Sequence, residues 1–193
     1  MAEDEPVRPR ADARRNRDAV VAAAIRLLAE DPDASMREIA DASGVSRMTV
    51  YRHFPSREDL LRAVFAHVHD DFAALGSWIV GAQAPAEETL RRFAREIVAR
   101  SEHYRFLTGY RALADEIFND EQVIADADDV LVWLRAAHAR GELRAELPPD
   151  WQFRMLRGLV TAACEEVLTG RATAAESGGL LGETLVAALV APR

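Results

Sequence analysis

Apolar residues recur every three or four positions along most of this chain, and the strict alternation that marks a half-buried strand is missing. Val20, Val21, Ala24, Leu27 and Leu28 define one face of a first predicted helix, about residues 16–30. Asp31-Pro32-Asp33 stops it, because proline disfavours helical geometry in the residue before it. Residues 1–12, rich in charge and carrying Pro6 and Pro9, read as a mobile arm. Ser35-Met36-Arg37-Glu38 follows the Ser-x-x-Glu pattern of a capping box, so a short helix is predicted over 36–43 with Ile39 inward. Gly44 ends it, Ser46 caps a third helix over 47–54, and Pro55 closes that one. Ser56-Arg57-Glu58-Asp59 opens a long fourth helix, on which Leu61, Val64, Val68, Phe72, Leu75 and Ile79 form the stripe.

Beyond the break at 81–85 the same period continues. Leu90, Phe93, Ala94, Ile97 and Val98 mark a fifth helix, and Phe106, Tyr110, Leu113 and Ile117 a sixth. Val123, Ala127, Val130, Leu134 and Ala137 mark a seventh that ends at Gly141. An eighth runs from Pro148-Pro149 to about residue 170 with Trp151, Met155, Leu159, Ala162 and Ala163, and a ninth covers roughly 180–190. The predicted fold class is all-α. A head at 1–62 and a larger helical domain at 63–193 are joined by the fourth helix.

The second and third helices, joined by a four-residue turn, form a helix-turn-helix pattern. Small Ala40 lets them pack closely, Gly44 supplies the positive φ of a sharp turn, and Val50 with Phe54 buries the inner face of the third helix. Arg47, Met48, Thr49, Tyr51, Arg52 and His53 then occupy its remaining surface, where a recognition helix meets a major groove. The run Gly44-Val45-Ser46-Arg47-Met48-Thr49-Val50-Tyr51-Arg52-His53-Phe54-Pro55-Ser56-Arg57-Glu58-Asp59-Leu60-Leu61 closely resembles the signature of the TetR (tetracycline repressor) family, over about residues 16–65. The remainder resembles the family in architecture, down to the Gly141-Glu142-Leu143-Arg144 turn before the eighth helix.

That resemblance implies a transcriptional repressor that binds a double-stranded DNA operator as a homodimer and is released by a small-molecule effector. It implies DNA contacts from Arg37, Ser46, Arg47, Met48, Thr49, Tyr51, Arg52, His53 and Arg57. Arg47 and Met48 stand at base-contacting positions, His53 at a phosphate contact, and Arg57 in place of the usual lysine that grips the backbone. A guanidinium suits guanine O6 and N7, which makes Arg47 the first candidate base reader.

The net charge of −8 fits a DNA binder only if it is unevenly spread. It is: residues 63–193 carry −7, whereas 8–62 come to +2. All 24 basic residues are arginine, a bias that runs through the whole chain. The single cysteine, Cys164, excludes an intrachain disulfide. No apolar run approaches the roughly 18 residues of a membrane span and no secretory segment follows the start, so the expected location is the cytoplasm.

No catalytic constellation, metal site or cofactor site is expected. Gly178 to Gly182 lacks the strand and lysine of a phosphate loop, and His67 with Asp71 supplies only two ligands. Phe72, Trp78, Phe93, Ile97, Phe106, Tyr110, Leu113 and Trp133 are candidates to line an effector cavity, and each suits ordinary core packing as well. Two stripes, Trp151, Met155 and Leu159 on the eighth helix and Leu181, Leu185 and Leu189 on the ninth, are the candidate dimer interface. A constitutive DNA binder without an inducer, and an enzyme bearing a DNA-binding head, are the alternative readings.

Overall fold

The computed structural model describes the backbone of residues 7–110 and 121–192, and side chains within 12–110 and 129–192. Within these residues it is all-α: α1 (Val7–Glu30), α2 (Met36–Ser43), α3 (Arg47–His53), α4 (Arg57–Val80), α5 (Ala86–Val98), α6 (Ser101–Gly109), α7 (Glu121–Ala139), α8 (Pro149–Leu168) and α9 (Ala174–Leu189). The N-terminal helix-turn-helix is present. None of these helices is long and apolar enough to cross a membrane.

Local chemistry sets the helix ends. Ser35 accepts from the Glu38 amide, and the Glu38 carboxylate accepts from the Ser35 amide at 2.7 Å. Ser56 and Asp59 repeat the device at the start of α4. Gly44 adopts φ 70° at the end of α2, a conformation costly for a residue with a Cβ. Thr173 and Glu176 form a third such box that opens α9 at Ala174, earlier than the apolar stripe alone predicts.

Two boundaries correct the pattern. Residues 7–12 are helical rather than an arm, with Pro9 in the first turn of α1, where its missing N–H is no loss. Residues 1–6 lie outside the described residues. The described part of the sixth helix ends at Gly109, and Leu113 and Ile117, expected on its continuation, also lie outside the described residues.

Two apolar clusters hold the fold. The first joins Val20, Ile25 and Leu28 of α1, Ile39 of α2, Val50 and Phe54, and Leu60 to Val68 of α4 with Phe106 and Tyr110 of α6. The second joins Ile79, Leu90, Phe93, Ile97, Trp133, Leu134, Leu156, Leu185 and Leu189, while half-buried Phe72 packs against both clusters. The head core therefore continues past residue 62 and recruits α6, so no break in packing coincides with the expected domain boundary. α4 runs unbroken for 24 residues, about 36 Å at 1.5 Å per residue, and links the two clusters.

α9 lies along α5 with its backbone close against it. A Cβ on Gly178 would stand 3.1 Å from Arg95 Cα, and one on Gly182 3.2 Å from Arg91 Cα. Glycine permits that approach without displacing α5, whereas a Cβ would require the neighbouring backbone to give by a few tenths of an ångström. The chain end is tied back by backbone bonds from Arg144 N to Leu189 O at 2.8 Å and from Ala191 N to Glu142 O at 3.0 Å.

Candidate nucleic-acid interface

α3 is short and built from opposed faces. Val50 is fully buried, whereas Met48 is 80% and Tyr51 50% exposed. Arg47 and Arg52 are exposed beside them and Thr49 is half-buried. Single exposed apolar side chains are ordinary on a protein surface; on α3 Met48 and Tyr51 lie together between two exposed arginines. Ser46 caps the helix: its hydroxyl accepts from the Thr49 amide at 3.3 Å and donates to Thr49 Oγ1 at 3.0 Å.

Arg47 is not free. Its Nη2 donates to both oxygens of Asp41, at 3.0 and 3.1 Å, and its Nε to Oδ1 at 3.4 Å. Arg37, one turn before Asp41 on α2, approaches the same carboxylate at 3.9 Å. Asp41 was invisible to the pattern, because it faces Arg47 across a turn and six positions away. Its side-chain type was the one available signal, an acid on a surface predicted to meet phosphates.

Two residues expected at phosphate contacts also have surroundings within the chain. His53 is half-buried, with Nε2 enclosed and without a hydrogen-bond partner among the described residues. Arg57 turns inward: it donates from Nη1 to the Ala34 carbonyl and from Nη2 to the Pro32 carbonyl at 2.6 Å, bracing the α1–α2 loop. Backbone acceptors leave no trace in a residue pattern. Among the other cations of the head, Arg14 and Arg15 are exposed and ion-paired to Asp18 and Asp12, and Arg17 stacks 5.4 Å from the Phe54 ring centroid.

The aromatic set assigned to an effector cavity divides. Phe106 is fully buried and Tyr110 nearly so in the head core, where the rings of Phe65, Phe106 and Tyr110 pack with centroids 4.8 to 6.3 Å apart. The Tyr110 hydroxyl donates to the Pro32 carbonyl at 2.6 Å. These two residues thus pack at a junction between α6 and the head. Helical periodicity identifies a buried face but not which of two cores receives it. Phe93, Ile97 and Trp133 are buried in the second core, with Phe72 and Trp78 half-buried against it and Arg92 stacked 4.3 Å from the Trp78 ring. Leu113 lies outside the described residues. A cleft of about 540 Å³ opens among Val80, Ala82 to Pro85, Val132, Trp133, Ala136, Arg140 and Glu142; Trp133 is the one member of the expected set that lines it.

The two predicted dimer stripes also part. On α8, Trp151 is 53% exposed, and Met155 and Leu159 are half-buried on the same outward side. On α9, Leu181, Leu185 and Leu189 are buried in the monomer core, on the side whose glycines meet α5. They are not available to a second subunit. The exposed residues of α9 include Leu180, Glu183, Thr184 and Ala187. Asp71 meets Arg100 at 3.0 Å and His103 at 2.9 Å.

Residues 20–64 match the family model described as bacterial regulatory proteins, tetR family. The chain is 34% identical over 157 residues to the HTH-type transcriptional repressor LfrR of Mycolicibacterium smegmatis, covering 81% of each protein. It is 30% identical over 169 residues to the uncharacterized HTH-type transcriptional regulator Rv1255c of Mycobacterium tuberculosis, covering 82% of this chain and 81% of that protein. The crystal structure of LfrR from Mycobacterium smegmatis in complex with proflavine superposes with a TM-score of 0.68 at 28% identity, over 93% of this chain and 98% of that one. The ketosteroid transcriptional regulator KstR2 of Mycobacterium tuberculosis shares the fold, with a TM-score of 0.76 at 17% identity over 91% and 95% of the two chains.

Proposed function

The chain belongs to the TetR family of bacterial regulatory proteins, and we propose that it is a repressor that binds a palindromic operator as a homodimer and is released by a small-molecule effector. The observation that carries the DNA reading is the two-faced α3, with Val50 sealed inside and Met48 and Tyr51 exposed between Arg47 and Arg52. In this reading Arg47 addresses a guanine, and Met48 and Tyr51 supply apolar and stacking contact. Arg37, Ser46, Thr49, Arg52 and His53 border the groove.

One such helix makes few base contacts, so two subunits reading half-sites one duplex turn apart, about 34–36 Å, are required. Trp151, Met155 and Leu159 on α8, with the outward side of α9, form the self-complementary surface. The effector acts on the second domain, and its effect reaches the head by two routes. One is the α4 rod. The other is the Pro32 carbonyl, which receives Arg57 from α4 and Tyr110 from α6. A displacement of α6 thereby shifts the loop that leads into α2, and with it the spacing of the reading helices.

The test begins with selection of bound duplexes from a random pool at physiological salt. Enrichment of a two-fold symmetric site supports the reading, and failure to enrich any sequence over a scrambled duplex refutes it. A thermal-shift screen, with proflavine as the first probe, then supplies an effector, since a ligand of the folded state raises apparent stability. Effector affinity is measured with and without saturating operator. Induction requires that each weaken the other by the same factor, so equal affinities leave a constitutive DNA binder.

A further inference from the structure

We propose that Asp41 is a specificity-determining residue of the DNA interface, which grips Arg47 by one edge of its guanidinium and leaves the other edge set for a guanine. The proposal rests on the reading of α3 as the base-contacting helix.

A guanidinium presents two forks. Its side fork is Nε with Nη2, and its end fork is Nη1 with Nη2. Asp41 takes the side fork: Oδ1 receives Nε at 3.4 Å and Nη2 at 3.1 Å, and Oδ2 receives Nη2 at 3.0 Å. Nη1 has no protein partner among the described residues. The end fork is the one whose two parallel N–H bonds match guanine O6 and N7. Nη2 belongs to both forks and is bonded to Asp41, so Arg47 is held with Nη1 as the unoccupied half of its reading edge, and the rotamer freedom of a long side chain is reduced before DNA arrives.

A plain surface ion pair does not account for the placement. Exposed pairs contribute little to folding stability, and Asp41 is 57% and Arg47 49% exposed at the side chain. Nor is this the routine one-turn pairing of a helix surface, because the partners lie on α2 and α3, six residues apart. A carboxylate on a phosphate-facing surface also opposes association by like charge. Arg37 on its other flank, at 3.9 Å, offsets that repulsion and limits the directions in which Asp41 can turn. The arrangement weakens binding to DNA in general and favours DNA that offers a guanine where the fork points.

The test uses the full-length protein, the operator selected by the wild type, and a scrambled duplex of the same length and composition. Affinities for both are measured by fluorescence anisotropy at matched salt for wild type, Asp41→Asn, Arg47→Ala and the double variant. A bidentate guanine contact discriminates by about 5- to 150-fold. Arg47→Ala should lose that factor per half-site. Asp41→Asn, which keeps the shape and drops the charge, should lower the operator-to-scrambled ratio by about fivefold or more while binding the scrambled duplex more tightly. The loss should be confined to one G·C position per half-site when each operator base pair is exchanged in turn. In the Arg47→Ala background Asp41→Asn should change the ratio no further, whereas Asp41→Glu with Arg47 present should keep part of the ratio that Asp41→Asn loses. A ratio lost in Arg47→Ala but unchanged or raised in Asp41→Asn overturns the proposal alone, a raised ratio marking Asp41 as a competitor for Arg47. A ratio unchanged in Arg47→Ala overturns the base-reading role of Arg47 and the proposal with it.

Discussion

Replacing Tyr110 by Phe deletes one hydroxyl and leaves the ring in place. The ring keeps its stack on Phe106 at 4.8 Å and its edge contact with Phe65 at 6.3 Å, so the packing of the head core is retained. What disappears is the 2.6 Å bond to the Pro32 carbonyl. Burial pushes the Tyr110 phenol above its ordinary value, with Arg57 working against it, so the hydroxyl is a protonated donor at neutral pH. A hydrogen bond of this kind contributes about 0.5–1.5 kcal/mol net. Pro32 retains Arg57 Nη2 at 2.6 Å and is not orphaned, which places the cost in the lower half, roughly 0.5–1 kcal/mol. For a chain of this length that lowers Tm by about 1–4 °C.

The functional consequence is of the same size as the stability change. Coupling between effector and operator sites is typically about 1–3 kcal/mol. If α6 acts on the head through Pro32, the lost bond should reduce the factor by which operator weakens effector binding, by up to about fivefold. Titration of effector with and without saturating operator, on wild type and Tyr110→Phe, measures that factor directly. A coupling factor equal to wild type, alongside the small loss of Tm, refutes the Pro32 route and leaves the α4 rod as the transmitter.

The two faces of the α8 and α9 stripes give opposite predictions. Met155→Glu, on the outward side of α8, should leave secondary structure intact and abolish the proposed dimer in sedimentation; self-association equal to wild type excludes that surface. Leu185→Ala, in the monomer core, should cost about 2–5 kcal/mol in chemical denaturation, and a cost under about 1 kcal/mol would show that the leucine is not packed as described. Hydrogen bonding from Arg140, then from the Ala86 amide, holds the Glu142 carboxyl below the ordinary glutamate value, with burial opposing. A lowered folded-state pKa stabilises above the unfolded value, near about 4.3, and its contribution disappears as pH falls through the lowered value. Wild type should therefore exceed Glu142→Gln in stability at neutral pH and converge with it in acid; a difference constant across that range refutes the assignment. Burial pushes the Cys164 thiol up to about 12, so a thiol-specific chromogenic reagent should label it only on unfolding, and rapid labelling of the native protein would contradict its burial.

The helix-turn-helix was legible because its determinants are local. Ser35 with Glu38, Gly44, Ser46 and Pro55 act on residues within one turn of themselves, so their order along the chain already specifies two short helices and the angle between them. The burial of Val50 and the exposure of Arg47, Met48 and Tyr51 follow from helical period alone. Nothing local distinguishes the partners of a buried stripe. Phe106 and Tyr110 repeat at helical spacing like Phe93 and Ile97, yet one pair seals the head and the other the second core. Leu181, Leu185 and Leu189 resemble an interface stripe as closely as Trp151, Met155 and Leu159 do. Gly178 and Gly182 decide between them, by letting the α9 backbone lie against α5.

The sequence by itself determined the all-α class, the position of the reading helix and the residues that helix exposes, since capping, turn geometry and amphipathic period are short-range effects. Only the tertiary structure decided which core each apolar stripe enters, that Arg57 and Tyr110 converge on one backbone carbonyl, and that Asp41 holds Arg47. Those outcomes depend on contacts between residues distant in the chain, or across a turn, and on main-chain acceptors that every residue carries and no side-chain pattern displays.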